Sequence, residues 1–174
     1  MLQALYVLGT LLMTPDELLV DWRRRARESQ FGHFEASKHF GLQHYWTGIP
    51  VVVVSAIVGT SIFATLQSQE ALAIQIVLGM LSVSAAVLAS LQTFLGSSEK
   101  AEKHRAAGAA YGAIRREIEQ TISLGLPEEA EGKKVLDAFR ERFDELALQA
   151  PEISPKIWKR TDDILAKYDN PPNV

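Results

Sequence analysis

Hydrophobic and polar positions divide the chain into three stretches. The middle one, Trp46–Leu95, holds two nearly uninterrupted apolar runs, WTGIPVVVVSAIVGTSIFATL and LAIQIVLGMLSVSAAVLASLQTFL, joined by QSQEA. Glu70 is its one formally charged residue. An apolar helix of ~20 residues crosses a hydrocarbon core of ~30 Å. The short connector then predicts a helical hairpin with spans over about 46–66 and 72–95. The competing reading is a pair of soluble core helices, but such helices rarely run this long without a charged face.

The flanks carry helical periodicity instead. Thr14-Pro15-Asp16-Glu17 is a helix start, with Thr14 as N-cap, Pro15 at the first helical position and Glu17 closing a capping box. The helix is expected from Pro15 to about Gln43. Leu19, Trp22, Ala26, Ser29, His33, Ala36 and Phe40 recur at three- and four-residue spacing on one stripe. That stripe is weakly apolar and predicts a packing face against another helix. No strong breaker separates this helix from the first span, although Gly41, Gly48 and Pro50 could bend the junction. After the hairpin, Ala107, Tyr111, Ile114, Ile118 and Ile122 make a stripe that Gly125 and Pro127 end. A further helix over about 128–148 turns Val135, Leu136, Phe139, Phe143 and Leu146 inward, and Pro151 stops it. A last helix, Pro155 to about Tyr168, follows Ser154 and shows Ile157, Trp158, Ile164 and Leu165. Met1–Met13 is apolar but too short to span and lacks a signal peptide's basic region and cleavage site. It reads as a segment lying on the membrane or on a partner chain, or as the product of an upstream start codon.

The expected fold is therefore all-α: an N-terminal amphipathic helix (1–45), a transmembrane hairpin (46–95) and a C-terminal cytoplasmic helical bundle (96–174). Arg23, Arg24, Arg25, Arg27 and Lys38 precede the hairpin, Lys100, Lys103, Arg105, Arg115 and Arg116 follow it, and its connector has no Lys or Arg. The positive-inside rule then predicts an inner-membrane, multi-pass protein with both termini cytoplasmic. Tyr45, Trp46 and Phe94 fall at the cytoplasmic interface, as an aromatic belt requires. A mean hydropathy of +0.02 conceals the apolar runs by averaging them with polar flanks. The net charge of −3 over 174 residues names no partner, and the lack of cysteine excludes a disulfide framework, thiolate metal sites and a cysteine nucleophile.

Within the second span Gln75, Gly79, Ser82, Ala86, Ser90 and Thr93 follow one another at spacings of 4, 3, 4, 4 and 3 and share a face. Small polar side chains on one face can line a water-filled pore. They can equally let helices approach closely, as small-xxx-small motifs do. Gln75 favours the pore, because an amide in lipid needs a partner or water. Two spans cannot enclose a pathway, so a pore requires a homo-oligomer, with closed rotational symmetry expected.

Catalytic chemistry is not expected. His33, His39, His44 and His104 contain no HExxH, and no spacing within the first three is that of a helical metal pair. His33, on the packing stripe, reads as a hydrogen-bonded core residue. No Walker, Rossmann or G-x-S-x-G motif occurs, and Asp162 and Asp163 point in different directions on a helix. No cofactor or metal is implied. Basic residues remain as candidate ligand contacts: Arg23, Arg24, Arg27, Lys38, Arg105, Arg115 and Arg116. Arg23–Arg27 could instead set topology and touch anionic lipid, at ~1 kcal/mol per basic residue near the leaflet. Arg115 and Arg116 lie too far along their helix for headgroups, leaving a phosphate-bearing ligand or acidic helix partners.

The run WRRRARESQFGHFEASKHF (Trp22–Phe40), the hairpin after HYW, Glu102-Lys103-His104-Arg105, YGAIRREI (Tyr111–Ile118) and APEIS (Ala150–Ser154) resemble SLATT-domain proteins. The resemblance covers roughly Asp16–Asp163 and rests on diffuse helical patterns. These are small two-helix membrane effectors of prokaryotic defence systems. The resemblance implies an oligomeric pore controlled by a nucleotide or oligonucleotide signal from a partner nucleotidyltransferase. Opening would depolarise the membrane and arrest or kill an infected cell. A non-conducting membrane anchor that recruits a soluble partner is the alternative.

Overall fold

The computed structural model describes residues 13–65 and 72–169. The hairpin connector Gln67–Ala71, the segment before Met13 and the tail after Asp169 lie outside the described residues. The described chain is helical throughout, with no strand: α1 (Pro15–Thr65), α2 (Leu72–Leu95), α3 (Ser97–Leu124), α4 (Glu129–Gln149) and α5 (Pro155–Asp169). Of the described residues, those up to Ser37 group with those from Glu102 into one compact unit, and Lys38–Ala101 form a second.

The helix ends follow local chemistry. The Thr14 backbone N–H donates to Glu17 Oε2 at 2.8 Å, and the Glu17 N–H donates to Thr14 Oγ1 at 3.3 Å, a reciprocal capping box. These bonds hold the Glu17 carboxyl below the ordinary range. Gly96, at φ +54°, separates α2 from α3, and its carbonyl accepts the Lys100 N–H. Only glycine enters that left-handed region without a Cβ penalty. Gly125, at φ +81°, ends α3 where the sequence placed its stop.

α1 runs unbroken from the amphipathic stretch through the first apolar run, with Pro50 inside it. Gly41, Gly48 and Pro50, which could bend the junction, all lie within this one helix. Proline supplies no N–H, so the Trp46 carbonyl loses its helical donor. That loss is cheapest where water reaches the backbone.

In the first unit, α1 packs through the stripe read from sequence: Leu19, Ala26, His33 and Ala36 are buried. Leu19 joins Ile114, Ile118 and Phe139 in one cluster, with Trp22, Leu136 and Phe143 against it. Ala36 joins Ile153 and Ile157 in another, with Trp158 against it. Glycines set the closest approaches. A Cβ on Gly112 of α3 would lie 2.7 Å from Gln30 Nε2 of α1, and one on Gly32 would lie 3.0 Å from Ile153 and Trp158.

In the second unit α1 and α2 run antiparallel: Gly48 and Gln92 meet, and each lies far along its helix from the connector between Thr65 and Leu72. The residues that lose exposure are His44, Thr47, Val51, Val54, Val58 and Ser61 on α1 and Leu78, Leu81, Ala85, Leu88, Gln92 and Leu95 on α2. Both series repeat as 3-4-3-4-3, the spacing of a knobs-into-holes seam.

Two regions of the chain hold helices long and apolar enough to cross a membrane, and in each the apolar window is 6% buried. A soluble core helix would be mostly buried, so the described residues do not cover these surfaces.

Candidate functional site

The face of α2 singled out in the sequence is intact and uncovered. Gln75, Gly79, Ser82, Ala86, Ser90 and Thr93 are all exposed, and a Cβ on Gly79 would meet nothing within 4 Å. At 3.6 residues per turn this face lies roughly 130° around α2 from the seam with α1. Helix packing within the chain therefore does not use the small residues. Whatever covers them must be water, lipid or another molecule.

The hydroxyls are partly satisfied inside the helix. Ser90 Oγ donates to the Ala86 carbonyl at 2.9 Å, Thr93 Oγ1 to Ala89 at 3.1 Å, and Ser84 Oγ to Met80 at 2.8 Å. Such back-bonding lets Ser and Thr tolerate an apolar surrounding without losing the ability to meet water. Gln75 has no such local solution, since its amide offers two donors and an acceptor.

α1 differs from α2 in what it turns outward. Ile49, Val52, Val53 and Ile57 are exposed on α1, a surface suited to lipid. α2 exposes both a comparable surface (Ile76, Val77, Met80, Val83, Val87) and the small polar face.

In the first unit, four of the candidate basic residues converge. Arg23, Arg24 and Arg27 of α1 and Arg115 of α3 line a cleft of about 600 Å³, together with Glu17, Asp21 and Glu119. Lys38, Arg105 and Arg116 lie elsewhere and are exposed. The cleft is charge-mixed. Arg24 bonds Asp21 and Glu28 at 2.7 Å each, which raises its pKa. Arg27 pairs with Asp169 at 2.8 Å, and Arg115 with Glu119 at 3.5 Å. Arg23 forms no ion pair among the described residues. An anionic ligand would find Arg23 available and would have to take the others from carboxylates. The sequence put these arginines on one list and left acidic helix partners open for Arg115; what it did not show is that Asp169 reaches Arg27.

Further along the same two helices, α1 and α3 are joined by a buried histidine pair. His33 Nδ1 and His104 Nδ1 lie 3.0 Å apart, one donating and the other accepting. Tyr111 stacks on the His33 ring at 5.5 Å and 12°. Burial, then the neighbouring His104, push the His33 pKa down to about 4. Burial also lowers His104 and raises Tyr111. The pair is thus a neutral hydrogen bond, which supplies the partner expected for His33. Among the described residues no group of three or more potential metal ligands occurs.

Sequence reasoning missed Gln92. It is half-buried on the seam, against Gly48. The 3-4 spacing from Leu78 through Leu95 was the available signal.

No protein-family model, curated protein or solved structure matches the chain.

Proposed function

We propose that the chain is a membrane-embedded hairpin effector that assembles as a homo-oligomer and conducts ions along the Gln75–Thr93 face of α2. The observation that carries this is the placement of that face, uncovered and turned away from α1. In a ring of hairpins, the Ile49, Val52, Val53 and Ile57 surface of α1 faces lipid and the small polar face of α2 faces the axis. The flanking basic residues support a topology with both termini on the cytoplasmic side of the inner membrane. The Arg23, Arg24, Arg27 and Arg115 cleft is the site proposed for the controlling ligand. The resemblance to SLATT-domain proteins supplies its class, a nucleotide or oligonucleotide signal, and the setting, antiviral defence by membrane depolarisation.

Liposomes carrying the purified protein test this. Ion flux should change on adding cyclic or short linear oligonucleotides. Leucine at Ser82 and Ser90 should block flux while the oligomer persists. Persistent flux in that variant would remove α2 from the path.

A second reading is a non-conducting anchor that recruits a soluble partner. The internal hydrogen bonds of Ser90 and Thr93 favour it, because they suit a dry helix–helix contact. It requires no flux under any condition, and activity in cells that survives replacing both spans with an unrelated hairpin.

A further inference from the structure

The hairpin unit holds a polar group that the pore face does not use. Gln92 lies on the seam, and its amide makes no hydrogen bond among the described residues. It opens onto a groove of about 490 Å³ along the side of α1. Ile49, Val52 and Val53 form an apolar wall, with His44 and Tyr45 at one end. Gly48 also lines it, and the lack of a side chain there lets the Gln92 amide approach α1, its Nε2 3.0 Å from where a Cβ would stand. From His44 to Val53 it runs roughly 13 Å along the helix.

An amide at this depth is costly without a partner. Exposed Tyr45 and Trp46 mark the adjacent level as the interface, where aromatic rings meet headgroups. A fitting occupant must accept hydrogen bonds at that level and lay an apolar body toward Val53. Those are the properties of the glycerol-ester region and acyl chain of a phospholipid. We propose that the groove seats one acyl chain of a glycerophospholipid, with the Gln92 amide donating to its ester carbonyl. This rests on the membrane reading of the hairpin and is independent of conduction.

The test uses the full chain in phosphatidylethanolamine and phosphatidylglycerol liposomes doped with a phosphatidylcholine that carries a diazirine in its acyl chain. After illumination, mass spectrometry maps the adducts. They should concentrate on residues 44–53 and around Gln92. Gly48→Leu, which must push the Gln92 amide from its place against α1, should abolish that concentration and leave adducts at Ile76, Val83 and Val87 unchanged. Gln92→Leu keeps the seam apolar and should reduce groove adducts about three- to tenfold, the size of one hydrogen bond. Even labelling of all exposed apolar residues, insensitive to both variants, would overturn the groove and leave the membrane reading standing. A groove protected while the rest is labelled would assign it to a second copy of the chain and also overturn the proposal. No adducts at all would sink the membrane reading and the groove together.

Discussion

The two units are built from the same secondary structure and treat apolar side chains in opposite ways. In the first, large apolar residues such as Leu19, Ile114 and Ile118 are at most 1% exposed. In the second, Val83 is 65% and Phe94 87% exposed, and among the described residues the buried apolar ones are Val58 and Ala85. α1 passes from one regime to the other without a break. Helix formation therefore does not distinguish the regimes; the surrounding solvent does. The first unit gains stability by removing apolar area from water. The second presents a continuous apolar surface that water would not tolerate on a monomer. Its own seam is narrow, and on the membrane reading its stability comes from lipid, from other copies, or from both.

The sharpest way to break this contrast is a matched truncation. Ile118→Ala should cost about 2–5 kcal/mol, because a buried side chain leaves a cavity. The thermal midpoint of the first unit in mild detergent should fall by on the order of 10 °C. Val83→Ala removes a comparable side chain that nothing in the chain covers, and should stay within about 0.5 kcal/mol. Equal losses for the two would mean that Val83 is buried in the assembled protein.

Acid should also act on the first unit alone. His33 has a folded pKa of about 4 against an ordinary 6.5, so the unfolded chain binds the proton more readily. Its contribution is fully present above about pH 6.5 and is lost as pH falls toward 4. The lowered pKa of His104 acts in the same direction. The loss should be on the order of 3 kcal/mol, read as a falling denaturant midpoint between pH 6.5 and 4. Replacing both histidines with glutamine should flatten that dependence. A slope that survives the double variant would place the titration elsewhere.

Glycine substitutions separate contacts within the chain from contacts between chains. Leucine at Gly112 must displace Gln30 from 2.7 Å, which should cost about 1–3 kcal/mol by overpacking. Leucine at Gly79 meets nothing in the chain and should leave its stability unchanged. If the α2 face joins copies, Gly79→Leu should instead reduce the oligomer seen by cross-linking or light scattering. An unaltered oligomer would leave that face to water or lipid.

These contrasts also show what the sequence could carry. The stripes on α1, α3 and α4 were legible because each alternates apolar and polar residues at helical spacing against water. The hairpin seam was not. When nearly every residue is apolar, the positions that pack differ from those that face lipid by spacing alone, and Val51, Val54 and Val58 look like Val52 and Val53. Partner choice was equally hidden. His33 and His104 are 71 residues apart, and each appears solitary along the chain. The arginine cleft was half legible: the cations stand out as a run and Glu119 is the i+4 neighbour of Arg115, whereas the neutralising Asp169 reaches it through the fold.

The smallest effect belongs to a pair that looks strong. Arg142 of α4 holds Glu117 of α3 through both guanidinium nitrogens, with the Nη2 to Oε1 bond at 3.0 Å. The contact raises the Arg142 pKa. Both side chains are nearly half exposed, so water and salt screen the attraction, and ordering two long side chains opposes it. Glu117→Gln should cost no more than about 1 kcal/mol, less in high salt. Comparing its stability in 50 mM and 500 mM salt with that of Ile118→Ala, its neighbour on α3, separates the two origins of stability. The charge effect should shrink with salt and the cavity effect should not. A Glu117→Gln loss as large as that of Ile118→Ala would mean that the α3–α4 contact depends on the ion pair as much as on the apolar cluster beneath it.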